Sequence, residues 1–173
     1  MEPSTDTDVQ VAFPLPKSLD TKIHLRLSVK AKVIVVYLTT VSADDVGKPV
    51  PLGSLVYALP NVSCAYSCLL ILVAANLPAL WWLTECQKYN ASQPLSTTIY
   101  HVEATVEFTI RLAKVLARKT ALPVYVANSI SLMSTGLGGT VEEEMEAFKQ
   151  VVAVVTQHLR DVGIAHAPNG ISA

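Results

Sequence analysis

The segment Ile23–Leu38, IHLRLSVKAKVIVVYL, gives the clearest indication of secondary structure in the chain. Its first part, Ile23–Leu27, alternates apolar and polar side chains, which is typical of a strand with one buried face. Its last part, Val33–Leu38, is a continuous run rich in β-branched residues, which favours a strand in the middle of a sheet or one buried on both faces. The short polar link Ser28–Lys32 predicts that the two strands form an antiparallel hairpin.

On either side of this hairpin, further segments have the composition and length of short strands. They are bounded by proline, glycine or asparagine, which are residues that end strands and begin turns. The predicted strands are Val9–Phe13 before the hairpin and Ser54–Leu59, Leu95–Tyr100 and Val124–Ile130 after it. With the hairpin, the chain therefore carries six predicted strands.

Two segments have the period of amphipathic helices, about 103–119 and 140–161. The first has a charged side on which Glu107 precedes Arg111 by four residues, the favourable order for an ion pair on a helix. The second begins with Thr140 and Glu143, the pattern of a capping box, and Gly163 is a natural stop. Its predicted apolar stripe is Val141, Met145, Phe148, Val152, Val155 and Leu159. This order of elements predicts an α+β fold in which an antiparallel sheet is covered by two helices.

Length and charge exclude some classes of protein. A chain of 173 residues is the size of one domain, and we place that domain at residues 9–161. The 13 basic and 14 acidic side chains nearly cancel, which argues against nucleic-acid binding. Residues 1–8 are polar and acidic, unlike a signal peptide, so we expect a disordered tail there. Residues 162–173 are expected to form a flexible tail, and we expect a cytoplasmic protein whose range extends to the nucleus.

The block of residues 62–93 differs in kind from the rest of the chain. The whole sequence is 51% hydrophobic and only 16% charged, and this block holds every cysteine and both tryptophans. It contains an uncharged run over 64–84 that is long enough to cross a bilayer, which keeps a single-pass membrane protein as the alternative function. A genuine folded insertion is a second interpretation.

The preferred interpretation is that residues 62–93 are a translated, retained intron. Val62-Ser63 can be encoded by the pattern of a 5′ splice site, and Gln93 by the end of a 3′ splice site. Removing the block preserves the reading frame and joins Asn61 to Pro94. The junction is then a proline and asparagine turn between two predicted strands.

The sequence does not assemble a catalytic or metal site. The glycine-rich stretch before residue 140 lies where phosphate-binding loops occur, but Glu142, Glu143 and Glu144 would repel a phosphate at the helix start. The histidines have no ligand spacing and no acidic partner, and no nucleophile elbow is present. We therefore predict a protein that is not an enzyme and has no cofactor and no metal.

Three short stretches in the second half carry a family resemblance. They are Leu116–Thr120 (LARKT), Pro123–Val126 (PVYV) and Glu143–Phe148 (EEMEAF). In their order and spacing these stretches resemble the proteasome assembly chaperone 4 family, of the fungal type. The earlier strands fit that family more loosely, and the block 62–93 and the extension after Phe148 depart from it.

The resemblance implies a small fold with a six-stranded antiparallel sheet and a function without catalysis. It implies a heterodimer with proteasome assembly chaperone 3 that holds an α-type subunit, α5, while the α-ring of the 20S proteasome forms. It does not identify the contact residues. From composition we name the loop Ser131–Gly139, and within it Ser131, Leu132, Met133 and Leu137, as candidates for partner binding. Arg118 and Lys119 are a second candidate, although cations also stabilise a helix C-terminus without any partner.

Overall fold

The computed structural model describes residues 7–16, 18, 21–30, 33–41, 47, 49–60, 93–132 and 139–164. The described part confirms the predicted class, a six-stranded sheet with two helices. The strands are β1 (Thr7–Pro14), β2 (Lys22–Lys30), β3 (Val33–Val41), β4 (Ser54–Leu59), β5 (Leu95–Tyr100) and β6 (Val124–Ser129). The helices are α1 (Glu103–Thr120) and α2 (Val141–Asp161).

The sheet has the order β1-β2-β3-β6-β4-β5. The predicted hairpin is confirmed, with Leu25 opposite Leu38 and Leu27 opposite Val36. All pairs are antiparallel except β3 and β6, which are parallel. The prediction of a wholly antiparallel sheet was therefore wrong for this pair. Because β6 lies between β3 and β4, which run in opposite directions, it must be parallel to one of them.

The core lies on one face of the sheet. Alternate residues of β2, β3, β6 and β4 point to this face and are fully buried, as the period of a strand requires. Both helices contribute to the same buried cluster, so they cover the same face. The buried strand and helix side chains include Ile23, Leu25, Leu27, Ile34, Val36, Val56, Val124, Val126, Leu112, Leu116, Val151, Val155 and Leu159.

Helix α2 is rotated from the predicted orientation. Val141 is 76% exposed and Met145 41% exposed, so the prediction that both face the core was wrong. The buried stripe is instead Glu143, Ala147, Val151, Val155 and Leu159. The predicted capping box is confirmed, because the Thr140 amide donates to Glu143 Oε2 and the Glu143 amide donates to Thr140 Oγ1. This box turns the Glu143 side chain inward, and positions four residues apart follow it into the core.

The element boundaries differ slightly from those predicted. Strand β1 begins at Thr7 rather than Val9, because Asp8 pairs with Ser28 of β2 in the ladder and its carboxylate binds Arg26, also of β2. At the other end, Gly163 has a φ of +78° and its amide donates to the Arg160 carbonyl, which confirms the predicted stop.

Two predictions concern segments outside the described residues. Of the block 62–93 only Gln93 is described, and residues 165–173 of the C-terminal tail also lie outside. The interpretations of the block therefore remain predictions. Among the helices of the described ranges, neither is long and apolar enough to span a membrane.

Candidate protein-binding surface

The sheet face opposite the two helices carries no described element, and we call it the open face. Its side chains follow from the strand register. Arg26 lies opposite Tyr37, Tyr37 opposite Ala127, and Ala127 opposite Leu55, so one row crosses four strands. A second row runs from Ser28 through Val35, Tyr125 and Tyr57 to Thr97. Antiparallel sheets often leave one face to water, but that face is then polar.

The half of the open face formed by β3, β6, β4 and β5 is instead apolar and aromatic. Tyr37 is 45% exposed and Leu95 is 68% exposed, and Tyr57 and Tyr125 are half-buried. The rings of Tyr57 and Tyr125 pack at a centroid distance of 4.5 Å. Tyrosine is enriched at protein interfaces because it combines a large apolar ring with a polar end. This half of the face therefore has the composition of a protein contact.

The half formed by β2 is basic. Lys22, His24, Arg26 and Lys30 are all exposed and point to the open face, because they alternate with the buried Ile23, Leu25, Leu27 and Val29. We call these four side chains the basic row. The open face thus changes from charged at β2 to apolar at β4, over a distance of about 14 Å at three strand spacings.

One acidic side chain, Asp8, accompanies the basic row. Arg26 Nη2 lies 2.7 Å from Asp8 Oδ2, and Arg26 Nε lies 3.2 Å from Asp8 Oδ1. These hydrogen bonds from the guanidinium, and then its charge, lower the pKa of Asp8. The same hydrogen bonds raise the pKa of Arg26. Arg26 is therefore neutralised locally, while Lys22 and Lys30 have no ion pair within the described ranges.

A cleft of about 610 Å³ lies at the end of the sheet where α1 begins. Its wall is mainly apolar, from Leu52, Val102, Phe108 and Ile130. A cleft of this volume has the size of a small-molecule site, but the described lining offers only Glu144 and Tyr100 as titratable groups. The other polar side chains of the described lining are Thr105, Asn128, Ser129 and Ser131.

Buried hydroxyl and amide groups next to the cleft bond to each other. Ser54 Oγ accepts from the Val102 amide at 2.9 Å and shares a hydrogen bond with Thr105 Oγ1 at 2.8 Å. Asn128 Nδ2 donates to Thr109 Oγ1 at 3.2 Å, and Thr109 Oγ1 donates to the Thr105 carbonyl. These contacts join the starts of β4 and α1 to the end of β6. The cluster is structural, because its polar groups are used within the fold.

The structure places the predicted site residues in two separate regions. Arg118 and Lys119 are exposed in the last turn of α1, and Lys119 Nζ lies 3.4 Å from Thr156 Oγ1. Ser131 and Leu132 line the cleft at the other end of β6, about 20 Å away along a strand of six residues. Met133 and Leu137 lie outside the described residues. The structure therefore does not bring these candidates together, and their roles remain predictions.

No metal centre is found within the described ranges, which hold no group of three histidine, cysteine, aspartate or glutamate side chains suited to one ion. The cysteines of the chain lie outside those ranges.

Sequence reasoning missed the open face. The alternation in β2 shows which side chains are buried, but it does not show what covers the other side. A signal was present in Tyr37, Tyr57 and Tyr125, which occupy positions where a solvated sheet face would carry charged or small polar residues. The sequence does not show that these three tyrosines share one face of the sheet, because this depends on the position of β6 between β3 and β4.

Comparisons with known proteins bear on this fold. The family model of proteasome assembly chaperone 4 matches residues 81–130, a range that includes β5, α1 and β6 and begins inside the block 62–93. Among solved structures, the chain is similar to a protein from a chaperone complex for yeast 20S proteasome assembly, with a TM-score of 0.52 and 8% sequence identity. The likeness covers 90% of this chain and 96% of that one, and it concerns the fold alone. A comparison with curated proteins gives no match.

Two of the three stretches on which the resemblance rests, Leu116–Thr120 and Pro123–Val126, lie inside the matched range. The resemblance stated from the sequence is therefore confirmed by the family model over residues 81–130.

Proposed function

We propose that this protein is a non-catalytic chaperone of 20S proteasome assembly that acts as a heterodimer with a proteasome assembly chaperone 3-like protein. The pair would hold an α-type subunit, α5, during formation of the α-ring. The general role of an assembly chaperone is supported by the family model that matches residues 81–130. The partners follow from the family resemblance, and the similar solved structure is described as a complex.

The observation that carries the heterodimer is the open face. No described element covers the side of the sheet opposite the helices, and that side holds Tyr37, Leu59 and Leu95, each at least 39% exposed. Contact with a partner would remove this apolar surface from water, which stabilises the complex by about 25 cal/mol per Å² of apolar area. We assign the open face to the partner chaperone.

The α-type subunit then needs a different surface. Arg118 and Lys119 are exposed on the helix layer, on the opposite side of the sheet from the open face. We assign them to an acidic region of the α-type subunit. The contacts with the partner chaperone and with the α-type subunit then lie on different surfaces, so each can be tested separately.

The test is coexpression of this chain with the assembly chaperone 3-like protein and the α5 subunit of its own organism, followed by native mass spectrometry. The wild-type chain should give a complex of all three. Tyr125→Asp should abolish the chaperone pair, because it places a charge in the middle of the open face. Arg118→Glu with Lys119→Glu should retain the pair and lose α5.

Lys149→Glu is the matched control, since Lys149 is exposed in the middle of α2 and its reversal should leave both contacts intact. A wild-type chain that binds neither protein would refute the proposed function. A pair that forms equally well with Tyr125→Asp would refute the use of the open face.

A further inference from the structure

The open face has a polarity that constrains which protein can cover it. Of the described acidic side chains only Asp8 lies on this face, and it is held by Arg26. The remaining described acidic residues belong to the helices, namely Glu103, Glu107, Glu142, Glu143, Glu144, Glu146 and Asp161. Among the described side chains, Lys22 and Lys30 at the two ends of β2 therefore give one side of this face an excess of positive charge.

Two copies of this chain would fit each other poorly through this face. A two-fold axis perpendicular to the strands would lay β2 of one copy over β2 of the other, so lysines would face lysines. A two-fold axis parallel to the strands would lay β2 over β4 of the other copy, because the two strands lie symmetrically about the centre of the sheet. There the lysines would meet Tyr57 and Leu59, which offer no counter-charge. Burying a charge without a partner costs several kcal/mol.

We propose that the open face binds a different protein that presents acidic side chains over the basic row and apolar side chains over Tyr37, Tyr57 and Tyr125, and that the basic row excludes a second copy of this chain. The inference rests on the proposed function, and it adds the chemistry by which the partner is chosen. Like charges brought together are a general means of rejecting a wrong partner. The apolar half of the open face supplies affinity, and the basic row supplies selectivity.

The first test measures the association of this chain with the purified assembly chaperone 3-like protein of the same organism. Lys22→Glu with Lys30→Glu should weaken binding by about tenfold or more, mainly through a slower association rate. Lys149→Glu, the same charge change on the helix layer, should change binding by less than twofold. Binding of the wild-type chain should also weaken as salt is raised from about 50 to 500 mM, because exposed charges are screened.

The second test is sedimentation of the chain alone at micromolar concentration. The wild type should be a monomer, and Lys22→Gln with Lys30→Gln should self-associate more strongly because the repulsion is removed. A wild-type homodimer that Tyr125→Asp dissociates would overturn the inference. So would a reversal of Lys22 and Lys30 that leaves partner binding unchanged while Tyr125→Asp abolishes it, an outcome that would still support the proposed function. Absence of any wild-type complex would instead count against the proposed function itself.

Discussion

Tyr57 and Tyr125 lie opposite each other on the adjacent strands β4 and β6, with ring centroids 4.5 Å apart and planes inclined by 30°. Both are half-buried side chains on a sheet face that no described element covers. Their contact stabilises the strand pairing, and it also holds two large rings in a fixed position in the middle of the open face. A rigid aromatic pair loses little conformational entropy on binding.

Tyr57→Ser is expected to separate these two roles. The isolated chain should lose about 1 kcal/mol of unfolding free energy, since one cross-strand aromatic contact is removed. Binding to the assembly chaperone 3-like protein should lose about 2 kcal/mol or more, which corresponds to roughly a 30-fold higher Kd. Chemical denaturation and calorimetric titration measure the two quantities.

Met145→Ser serves as the control for that substitution, because Met145 is an exposed apolar residue on the helix layer. It should leave Kd unchanged. Equal losses of binding in both variants would mean that apolar exposure in general, and not the open face, drives association.

Gly53→Ala is expected to destabilise the fold by about 2–4 kcal/mol. Gly53 has a φ of +67°, and an added Cβ would overlap the carbonyl oxygen of Asn128. Gly47→Ala is the matched control, since its φ is +92° and no atom lies within 4 Å of the added Cβ. That control should cost only the backbone strain, about 1 kcal/mol. Similar thermal unfolding of the two variants would contradict the close approach of Gly53 to β6.

Thr109→Val is expected to cost about 1–3 kcal/mol although it preserves shape. The substitution removes the acceptor of Asn128 Nδ2 and leaves this buried donor without its partner. Thr97→Val makes the same atomic exchange at an exposed position of β5 and should stay within about 0.5 kcal/mol of the wild type. Urea denaturation of both variants decides whether the buried cluster contributes to stability.

The Asp8–Arg26 pair predicts a dependence on pH at the acidic end. The pKa of Asp8 is lowered by Arg26 in the folded chain, so the ion pair contributes stability above the unfolded pKa of about 4 and loses it as the pH falls through the folded value. An NMR titration should therefore find the Asp8 carboxyl titrating below its ordinary range. Arg26→Gln should return that titration to the ordinary range, and an unchanged midpoint in this variant would refute the assignment.

The interpretation of residues 62–93 as retained intron predicts a shorter transcript. The genomic sequence should carry GT at codon 62 and AG at codon 93, and a spliced product should join the codons of Asn61 and Pro94. Sequencing of transcripts across this region measures it directly. Transcripts that all contain the block would establish it as part of the protein, in keeping with a family match that begins at residue 81.

Local patterns predicted the elements well and their arrangement less well. The bounds of β4 and β5 agree with the prediction, because alternation and turn residues act within a few residues of chain. Val33–Leu38 allowed two interpretations, and the position of β3 as third of six strands confirms the central one. Tyr37 is 45% exposed, so the strand is not buried on both faces.

The remaining features depend on contacts between distant parts of the chain. The parallel pairing of β3 with β6 joins residues about ninety positions apart, for example Ile34 with Val124, and no local pattern encodes it. The rotation of α2 was missed because a glutamate is an unusual core residue. Glu143 is nevertheless 1% exposed, since its carboxylate binds the amides of Gly139 and Thr140 at the helix start. The spacing of hydrophobic residues does not identify a buried glutamate that caps the start of a helix.

The central position of β6 has a consequence for how the chain is made. Of the six described strands it is the last in the sequence, yet it joins β1-β2-β3 to β4-β5. Until Ser129 has been synthesised, β3 and β4 each present an unpaired edge, and unpaired edges are the usual starting points of aggregation. Completion of the sheet must therefore wait for the C-terminal third of the chain, and a truncated product ending before Val124 would be left as two incomplete half-sheets.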